Sequence, residues 1–227
     1  MKKVAIFDID GTIFRSSLLR ELLESLISFG VFPRKAQDYY VHAYINWLDR
    51  KGPYEKYLAG IIKAFQRYIK GVPPHIVWDV AQHVIDFHQN RLYKFTRDLV
   101  RELKKKNYYL IAISGSPFEI VDIFAKNLGF NKTYGRIFEI DKNERFTGKI
   151  RFKDIVSDKG KILKRAVKKE NLTLNGSVGV GDTDSDIAFL KMVERPVAFN
   201  PNLKLYQYAK RVGWEIIVER KDVIYNL

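Results

Sequence analysis

Short apolar runs alternate with amphipathic segments along most of this chain, and this alternation restricts the fold more than any other feature. Each run has the length of a buried strand, and helical periodicity follows. The predicted strands are KVAIF (residues 3–7), YLIAI (109–113), SVGV (177–180), PVAF (196–199) and WEIIV (214–218). The predicted helices cover residues 95–106, 120–128, 161–169 and 187–193. Repetition of strand and helix predicts an α/β fold with a doubly wound, Rossmann-like parallel sheet.

The segment from residue 16 to residue 92 has helical periodicity without a convincing strand. Leu18, Leu22 and Leu26 recur every four residues, and prolines and glycines divide the segment. We therefore predict an all-helical cap domain of about four helices over residues 16–92. The remaining residues, 1–15 and 93–227, would form the α/β core domain. Within that core, the runs RIFEI and FTGKI flank DKNER, which predicts a hairpin.

The composition limits the compartment and the chemistry. The chain has no cysteine, which excludes disulfides and thiolate metal sites and favours a reducing compartment. Asp8 interrupts the first apolar run, VAIF, and no apolar stretch approaches the roughly 20 residues of a membrane span. We therefore expect a cytoplasmic protein without a membrane partner. No oligomeric state is predicted.

The net charge of +14 raises the hypothesis of nucleic-acid binding. The densest basic runs, at residues 104–106 and 161–169, lie in or near the last turns of predicted helices, where cations meet the helix dipole favourably. We therefore favour a solvated basic surface over a nucleic-acid site. A non-catalytic nucleic-acid-binding protein stays open as the alternative to an enzyme. The positive charge also suits an anionic small substrate.

Polar segments follow three of the predicted strands, and a fourth opens a predicted helix. They are FDIDGT (residues 7–12), SGSP (114–117), GDTDSD (181–186) and SDKGK (157–161). Ligands of open α/β sheets bind beyond the carboxyl ends of the strands. Asp8 and Asp10 are two apart on an extended segment, so their side chains point the same way. The sequence therefore predicts a carboxylate-rich site at this edge.

Four carboxylates, those of Asp8, Asp10, Asp182 and Asp186, would repel one another unless a cation lay among them. Hard oxygen ligands without cysteine or a nearby histidine suit Mg²⁺, which binds one or two carboxylates together with a substrate phosphate. The hydroxyl of Ser114, the amide of Gly115 and the ammonium of Lys159 would provide the opposite polarity that a phosphoryl group requires.

These four segments, in this order, resemble the four motifs of the haloacid dehalogenase (HAD) superfamily. The hairpin before DKGK and the tail PVAFNPNLKLYQYAKRVGWEII are similar to the phosphoserine-phosphatase-like branch (subfamily IB), whose helical cap follows the first motif. The likeness covers residues 1–15 and 93–220. In the inserted segment it extends only to position and helical character.

The resemblance implies a role for each motif residue. Asp8 would be the nucleophile that forms an aspartyl-phosphate, and Asp10 the general acid and then the base. Asp8, Asp182 and the backbone carbonyl of Asp10 would bind Mg²⁺, while Asp186 would hold a coordinated water or the lysine. The residues that would bind the substrate phosphate are Ser114, Gly115 and Thr12, with Lys159 neutralising the transferring group.

Several motif residues have alternative interpretations. GDTDSD resembles a calcium loop, but Ile187 and Val193 occupy the positions where that loop requires Gly and Glu. Lys153 and Lys161 lie close to Lys159, which we prefer because it precedes Gly160 at a helix start. Asp184 or Ser185 would cap the following helix.

All four histidines, and many aromatic residues, lie in the predicted cap. His83 and His88 are five residues apart, which misses the spacing of a helical metal pair, so we interpret the histidines as ordinary cap residues. Most of the aromatic residues fit buried helical stripes. Tyr39 and Trp47 are candidates for lining a substrate pocket.

The predicted activity is Mg²⁺-dependent hydrolysis of a small phosphorylated metabolite, which makes the chain a phosphoric monoester hydrolase. The second aspartate favours phosphate chemistry over dehalogenation. Selectivity for phosphoserine is not expected, because Ser17 replaces a glutamate of the phosphoserine phosphatases. In addition, the stretch YLAGIIKAF lacks their cap arginine. Phosphoserine phosphatase and phosphotransferase or phosphomutase activities are the alternatives within the same fold.

Overall fold

The computed structural model describes residues 1–152 and 158–227, and its strands divide between two sheets. In chain order the strands are β1 Lys2–Asp8, β2 Tyr109–Pro117, β3 Lys132–Arg136, β4 Phe138–Ile140, β5 Phe146–Ile150, β6 Leu172–Gly181, β7 Arg195–Phe199, β8 Glu215–Arg220 and β9 Val223–Asn226. Strands β4 and β5 form an antiparallel hairpin, and the other seven form one sheet in the order β3-β2-β1-β6-β7-β8-β9.

The α-helices alternate with groups of these strands along the chain. They are α1 Leu18–Ser28, α2 Val41–Leu48, α3 Tyr54–Tyr68, α4 Pro74–His88, α5 Lys94–Lys105, α6 Phe118–Leu128, α7 Lys159–Lys169, α8 Ile187–Leu190 and α9 Leu203–Val212. Two 3₁₀ helices cover Arg34–Tyr39 and Asp184–Asp186. Among the described helices, none combines the length and the apolar character that crossing a bilayer requires.

The chain divides into two compact units. The first comprises Met1–Ser17, Gln89–Arg136 and Phe152–Leu227, and the second comprises Leu18–His88 and Ile137–Arg151. The helical segment of the second unit begins at Leu18 and ends at His88, within four residues of the predicted limits, 16 and 92. The hairpin differs from that division, because it clusters with the helical unit and not with the α/β core.

The large sheet belongs to the first unit, and β1 lies near its centre. Its strands are parallel except for β9, which pairs antiparallel with β8 at one edge. Ile6 on β1 pairs with Ile111 on β2 and with Gly179 on β6. The chain passes to β2 on one side of β1 and to β6 on the other. The carboxyl end of β1 is therefore a topological switch point, where α/β sheets bind ligands.

The second unit is built around aromatic side chains. Phe32 and Phe65 pack edge to face at 5.8 Å between ring centroids, and Phe65 contacts Phe138 of the hairpin at 5.4 Å. The backbone of Phe146 exchanges hydrogen bonds with Gly71 and Val72, of 2.8 and 3.0 Å. These bonds explain why the hairpin clusters with the helices: they pair its second strand with the backbone that precedes α4.

Each of the five predicted strands and four predicted core helices has a counterpart, and the predicted α/β class is confirmed. Two strands of the sheet were missed. In β3, KTYGR, only Gly135 is buried, and in β9, VIYN, no residue is. Edge strands of this kind lack the continuous apolar run by which buried parallel strands are recognised.

Glu119 is buried in the first turn of α6 without an ionic partner among the described residues. It is 6% exposed, and its Oε2 accepts no hydrogen bond. Burial raises the pKa of Glu119 from 4.5 to about 7, against a hydrogen bond from its own backbone. Because the pKa of Glu119 is higher in the folded than in the unfolded protein, this carboxyl group lowers the free energy of unfolding as pH rises from 4.5 through 7.

We expect Glu119→Gln to raise the free energy of unfolding by about 1 to 3 kcal/mol at pH 8, and by much less at pH 4.5. Urea unfolding at both pH values measures the difference. Glu102→Gln, at an exposed position on α5, should change the stability by less than about 0.5 kcal/mol at either pH. An equal gain at both pH values for Glu119→Gln would mean that the carboxyl charge is not responsible.

Candidate active site

The first motif places two aspartates and a tight turn at the end of β1. Asp8 is the last residue of the strand and is 4% exposed. Gly11 follows with φ of +80°, and a Cβ at this position would overlap the carboxylate of Asp182. Glycine is required here by both its conformation and its size. The turn therefore lets the acidic segment after β1 approach the acidic segment after β6.

Thr12 lies on the side of Asp182. Its hydroxyl donates to Asp182 Oδ1 at 3.3 Å, and its carbonyl accepts from the hydroxyl of Thr96 at 2.9 Å. The side chain of Thr12 thus contacts a predicted metal ligand, and its role in phosphate binding stays a prediction. The contact from Thr96 on α5 fixes the backbone of this turn.

The segment after the main run of β2 contacts Asp10 through two hydroxyls. Ser114 Oγ donates to Asp10 Oδ2 at 2.5 Å, and Ser116 Oγ donates to the same oxygen at 2.8 Å. The backbone N–H of Ser116 donates to Ser114 Oγ at 2.9 Å. Gly115 is exposed between the two serines. Two serine hydroxyls thus hold one carboxylate oxygen of Asp10.

Lys159 begins α7 and connects Asp8 with Asp186. Its Nζ donates to Asp8 Oδ1 at 2.5 Å and also to Asp186 Oδ1. The side chain of Asp158 caps the helix by accepting from the N–H groups of Gly160 and Lys161. The lysine is 13% exposed.

The sequence offered Lys153 and Lys161 as alternatives to Lys159. Lys161 is 64% exposed and lies 4.0 Å from Asp158, on the surface of α7. Lys153 lies outside the described residues, as does Ser157, the first residue of the SDKGK segment. Of the described lysines near the start of α7, Lys159 is the one placed against Asp8.

Asp182 and Asp186 follow β6. Asp186 is fully buried, and its Oδ2 accepts from the N–H groups of Asp182 and Thr183, both at 3.0 Å. Thr183 and Asp186 form a reciprocal capping box around the short 3₁₀ helix. Carboxylate oxygens of Asp8, Asp182 and Asp186 lie within 4.8 Å of one another. Asp184 instead accepts from Asn202 at 2.8 Å.

Comparison with known proteins identifies the family. A model of haloacid dehalogenase-like hydrolases matches residues 5–191 of the chain, which include the four motifs. The chain belongs to the haloacid dehalogenase-like hydrolase family. This family of hydrolases agrees with the reaction class predicted from the sequence.

The relatives of this haloacid dehalogenase-like chain include phosphoserine phosphatases. The phosphoserine phosphatase of Archaeoglobus fulgidus is 24% identical over 200 residues, which are 88% of this chain and 53% of that protein. The chain thus spans about half the length of that relative. The predicted likeness to the phosphoserine-phosphatase-like branch is confirmed by such relatives.

Solved structures support the fold. A Bordetella pertussis protein of unknown function matches with a TM-score of 0.73 at 18% identity, covering 95% of this chain and 98% of its own. A structure described as a phospho-aspartyl intermediate analogue of phosphoserine phosphatase matches with a TM-score of 0.61 at 21% identity, covering 97% and 95%.

The electrostatics of this haloacid dehalogenase-like site favour a bound cation. Burial raises the pKa of Asp8 to about 8; Lys159 opposes that shift, and Asp186 and Asp10 add to it. Burial, followed by repulsion from Asp8 and Asp186, also raises the pKa of Asp182 well above its usual value. Burial lowers the pKa of Lys159, but Asp186 and Asp8 outweigh it and keep the ammonium charged.

This donor set fits Mg²⁺. Asp8 and Asp182 offer hard carboxylate oxygens, and their pKa values are raised mainly by burial, with neighbouring carboxylates adding to the shift. Asp186 is less suited to direct ligation, because both of its oxygens already accept hydrogen bonds from Lys159 and from the backbone. A supporting role for Asp186 stays a prediction.

The sequence analysis missed two residues of this site. Ser116 stands within the SGSP segment, so its polar character was visible, but its contact with Asp10 depends on how the backbone turns. Arg136 was assigned to a predicted hairpin. It ends β3 instead, where it pairs in register with Pro117 of β2, and its guanidinium reaches the exposed face of Gly115.

Proposed function

We propose that this chain is a Mg²⁺-dependent phosphatase that hydrolyses a small phosphomonoester through an aspartyl-phosphate on Asp8. The observation that carries the proposal is the ion pair between Lys159 and Asp8 beside Asp182, with Asp10 held separately by two serines. A nucleophile, a charge-neutralising lysine and a proton-transfer group thereby occupy distinct places at one sheet edge.

In the first step, a carboxylate oxygen of Asp8 attacks the phosphorus atom, and the ester P–O bond breaks. Asp10 gives its proton to the leaving oxygen. In the second step, the ionised Asp10 takes a proton from a water molecule, whose oxygen attacks the phosphorus. The bond between phosphorus and Asp8 breaks, which releases inorganic phosphate and restores both carboxyl groups.

The phosphoryl oxygens would be bound on the side opposite the carboxylates. Ser114 and the N–H of Gly115 would donate to these oxygens, and Lys159 would balance the charge on Asp8 and on the transferring group. Ser114 now donates to Asp10, so a bound substrate would exchange that hydrogen bond for one to phosphate. Thr12 would orient Asp182.

Asp8, Asp182 and the backbone carbonyl of Asp10 would hold Mg²⁺. When bound, the ion supplies positive charge that lets the acidic cluster coexist with an anionic substrate. Asp186 would position Lys159 and the loop that carries Asp182, because it contacts both.

The proposed substrate is a small cytoplasmic phosphorylated metabolite, without selectivity for phosphoserine. The stretch YLAGIIKAF, which lacks the cap arginine, lies on α3. Its Tyr57, Ile61, Ala64 and Phe65 are buried. The relatives named phosphoserine phosphatase share 22–30% of their residues with this chain over the matched lengths.

A phosphate-release screen over phosphorylated metabolites tests the proposal. We expect release from several esters with Mg²⁺, loss of release with excess EDTA, and recovery when Mg²⁺ is restored. Phosphoserine should not rank above the other substrates. The absence of release from every ester would contradict the phosphatase proposal, and efficient, selective turnover of phosphoserine would contradict the selectivity. Transfer to added alcohols, without net phosphate release, would indicate a phosphotransferase.

A further inference from the structure

Arg136 lies beside the phosphate-binding segment although no motif contains it. It is the last residue of β3, and the register with Pro117 places it next to the SGSP segment of β2. Its Nη2 is 3.8 Å from the position that a Cβ on Gly115 would occupy. The guanidinium therefore lies within van der Waals reach of the phosphate-binding segment at Gly115.

The side chain of Arg136 is partly buried and lies beside the segment whose two serines hold Asp10. Burial lowers the pKa of Arg136, and the carboxylate of Asp10 opposes that shift. Within residues 1–152 and 158–227, the guanidinium forms no ion pair within 4.0 Å. An arginine stays protonated in proteins, so its desolvation has a cost that an anion would offset. Such a placement is typical of ligand binding.

Arg136 and Lys159 lie beside different parts of the site. Lys159 contacts Asp8 and Asp186, on the side of the nucleophile. Arg136 lies beside Gly115, between the two serines that donate to Asp10, and under the proposed function Asp10 faces the leaving oxygen. A cation on that side is near the part of the substrate that departs, and a guanidinium matches carboxylate and phosphate oxygens with paired N–H donors.

We propose that Arg136 binds a second anionic group, located on the leaving group of the substrate. The inference rests on the proposed phosphatase function and narrows its substrate class. The preferred substrates are short phosphomonoesters whose alcohol carries a carboxylate or a second phosphate close to the ester oxygen. Esters of neutral alcohols lack the anion that compensates this charge, and they are poorer substrates.

Three substrates of one carbon skeleton test this assignment: hydroxyethyl phosphate, phosphoglycolate and ethylene glycol bisphosphate. The wild-type protein should prefer at least one of the two anionic esters, and the preferred one identifies carboxylate or phosphate as the second group. Arg136→Met should lower kcat/KM for that ester by about 100-fold, and for hydroxyethyl phosphate by less than about 3-fold. Arg136→Lys should retain part of the preference, because it keeps charge without the paired donors.

Lys132→Met is the matched control, since it removes a positive charge at the other end of β3. It should leave all three rates within about 2-fold of wild type. Equal losses on the three esters for Arg136→Met, or no wild-type preference for an anionic ester, would overturn the assignment while the phosphatase proposal stands. No release from any ester by the wild-type protein, in this series and in the wider screen, would overturn both.

Discussion

Asp8→Asn is expected to lower kcat/KM for phosphate release by at least about four orders of magnitude while the protein stays folded. The amide cannot form the acyl-phosphate bond, and it removes a negative charge next to Lys159. Folding should persist because the amide has the same shape, and because burial already raises the pKa of Asp8 to about 8. Steady-state rates on the best ester of the screen, with circular dichroism of the variant, measure both effects.

Asp184→Asn is the matched control for Asp8→Asn. Asp184 belongs to the GDTDSD segment, but its carboxylate contacts Asn202 and lies 3.5 Å from Lys204, away from the acidic cluster. Its rate should stay within about 3-fold of wild type. Substantial hydrolysis by a folded Asp8→Asn variant would mean that another group attacks the phosphorus atom, and the covalent route would then be wrong.

Lys159→Met is expected to abolish measurable turnover and to lower the free energy of unfolding by about 3 to 5 kcal/mol. The lysine is 13% exposed, and its removal leaves two buried carboxylates without the cation that contacts both. Lys161→Met, two residues along α7 and 64% exposed, should change stability by less than about 1 kcal/mol and retain activity. Urea unfolding without Mg²⁺ measures the difference.

A second variant separates charge from packing at Lys159. Combining Lys159→Met with Asp186→Asn removes one of the two carboxylates that were left without a cation. The double variant should therefore recover part of the lost stability without recovering activity. If the Lys159 and Lys161 substitutions had equal effects on stability, the buried ion pairs would not contribute as proposed.

The strands that carry the motifs could be predicted because their sequences are simple. A strand buried on both faces requires a continuous apolar run, and β1, β2 and β6 each contain one before their polar ends. The edge strand β3 contains lysine, glycine and arginine, and only its pairing with β2 makes it a strand. Tertiary hydrogen bonds decided this element, and local sequence could not reveal them.

The hairpin was predicted as an element but assigned to a different unit. Phe138 packs against Phe65 of α3, and the backbone of Phe146 pairs with Gly71 and Val72, all more than sixty residues earlier in the chain; the local pattern does not specify these partners. Hydrophobic periodicity indicates which face is buried. It does not indicate the partner that buries it.

The sequence likewise indicated some residues of the site but not their contacts. The position of Asp8 and Asp10 followed from one strand end, but the contact between Asp8 and Lys159 joins residues 151 apart in sequence. The family resemblance suggested that contact, which spacing alone could not. Arg136 lies outside the motifs, and its place beside Gly115 depends on the register of β2 and β3. Neither the spacing of the motifs nor the family resemblance indicated that Arg136 belongs to the site.

The central claim is that Asp8 carries the phosphoryl group during turnover. Acid quenching of the wild-type protein with a phosphate ester and Mg²⁺, followed by peptide mass spectrometry, tests it most directly. We predict one added phosphoryl group on the peptide that contains Asp8, present with Mg²⁺ and absent with EDTA. Turnover that proceeds with no phosphoryl group on this peptide at any quench time, or with the group on another residue, would contradict the account.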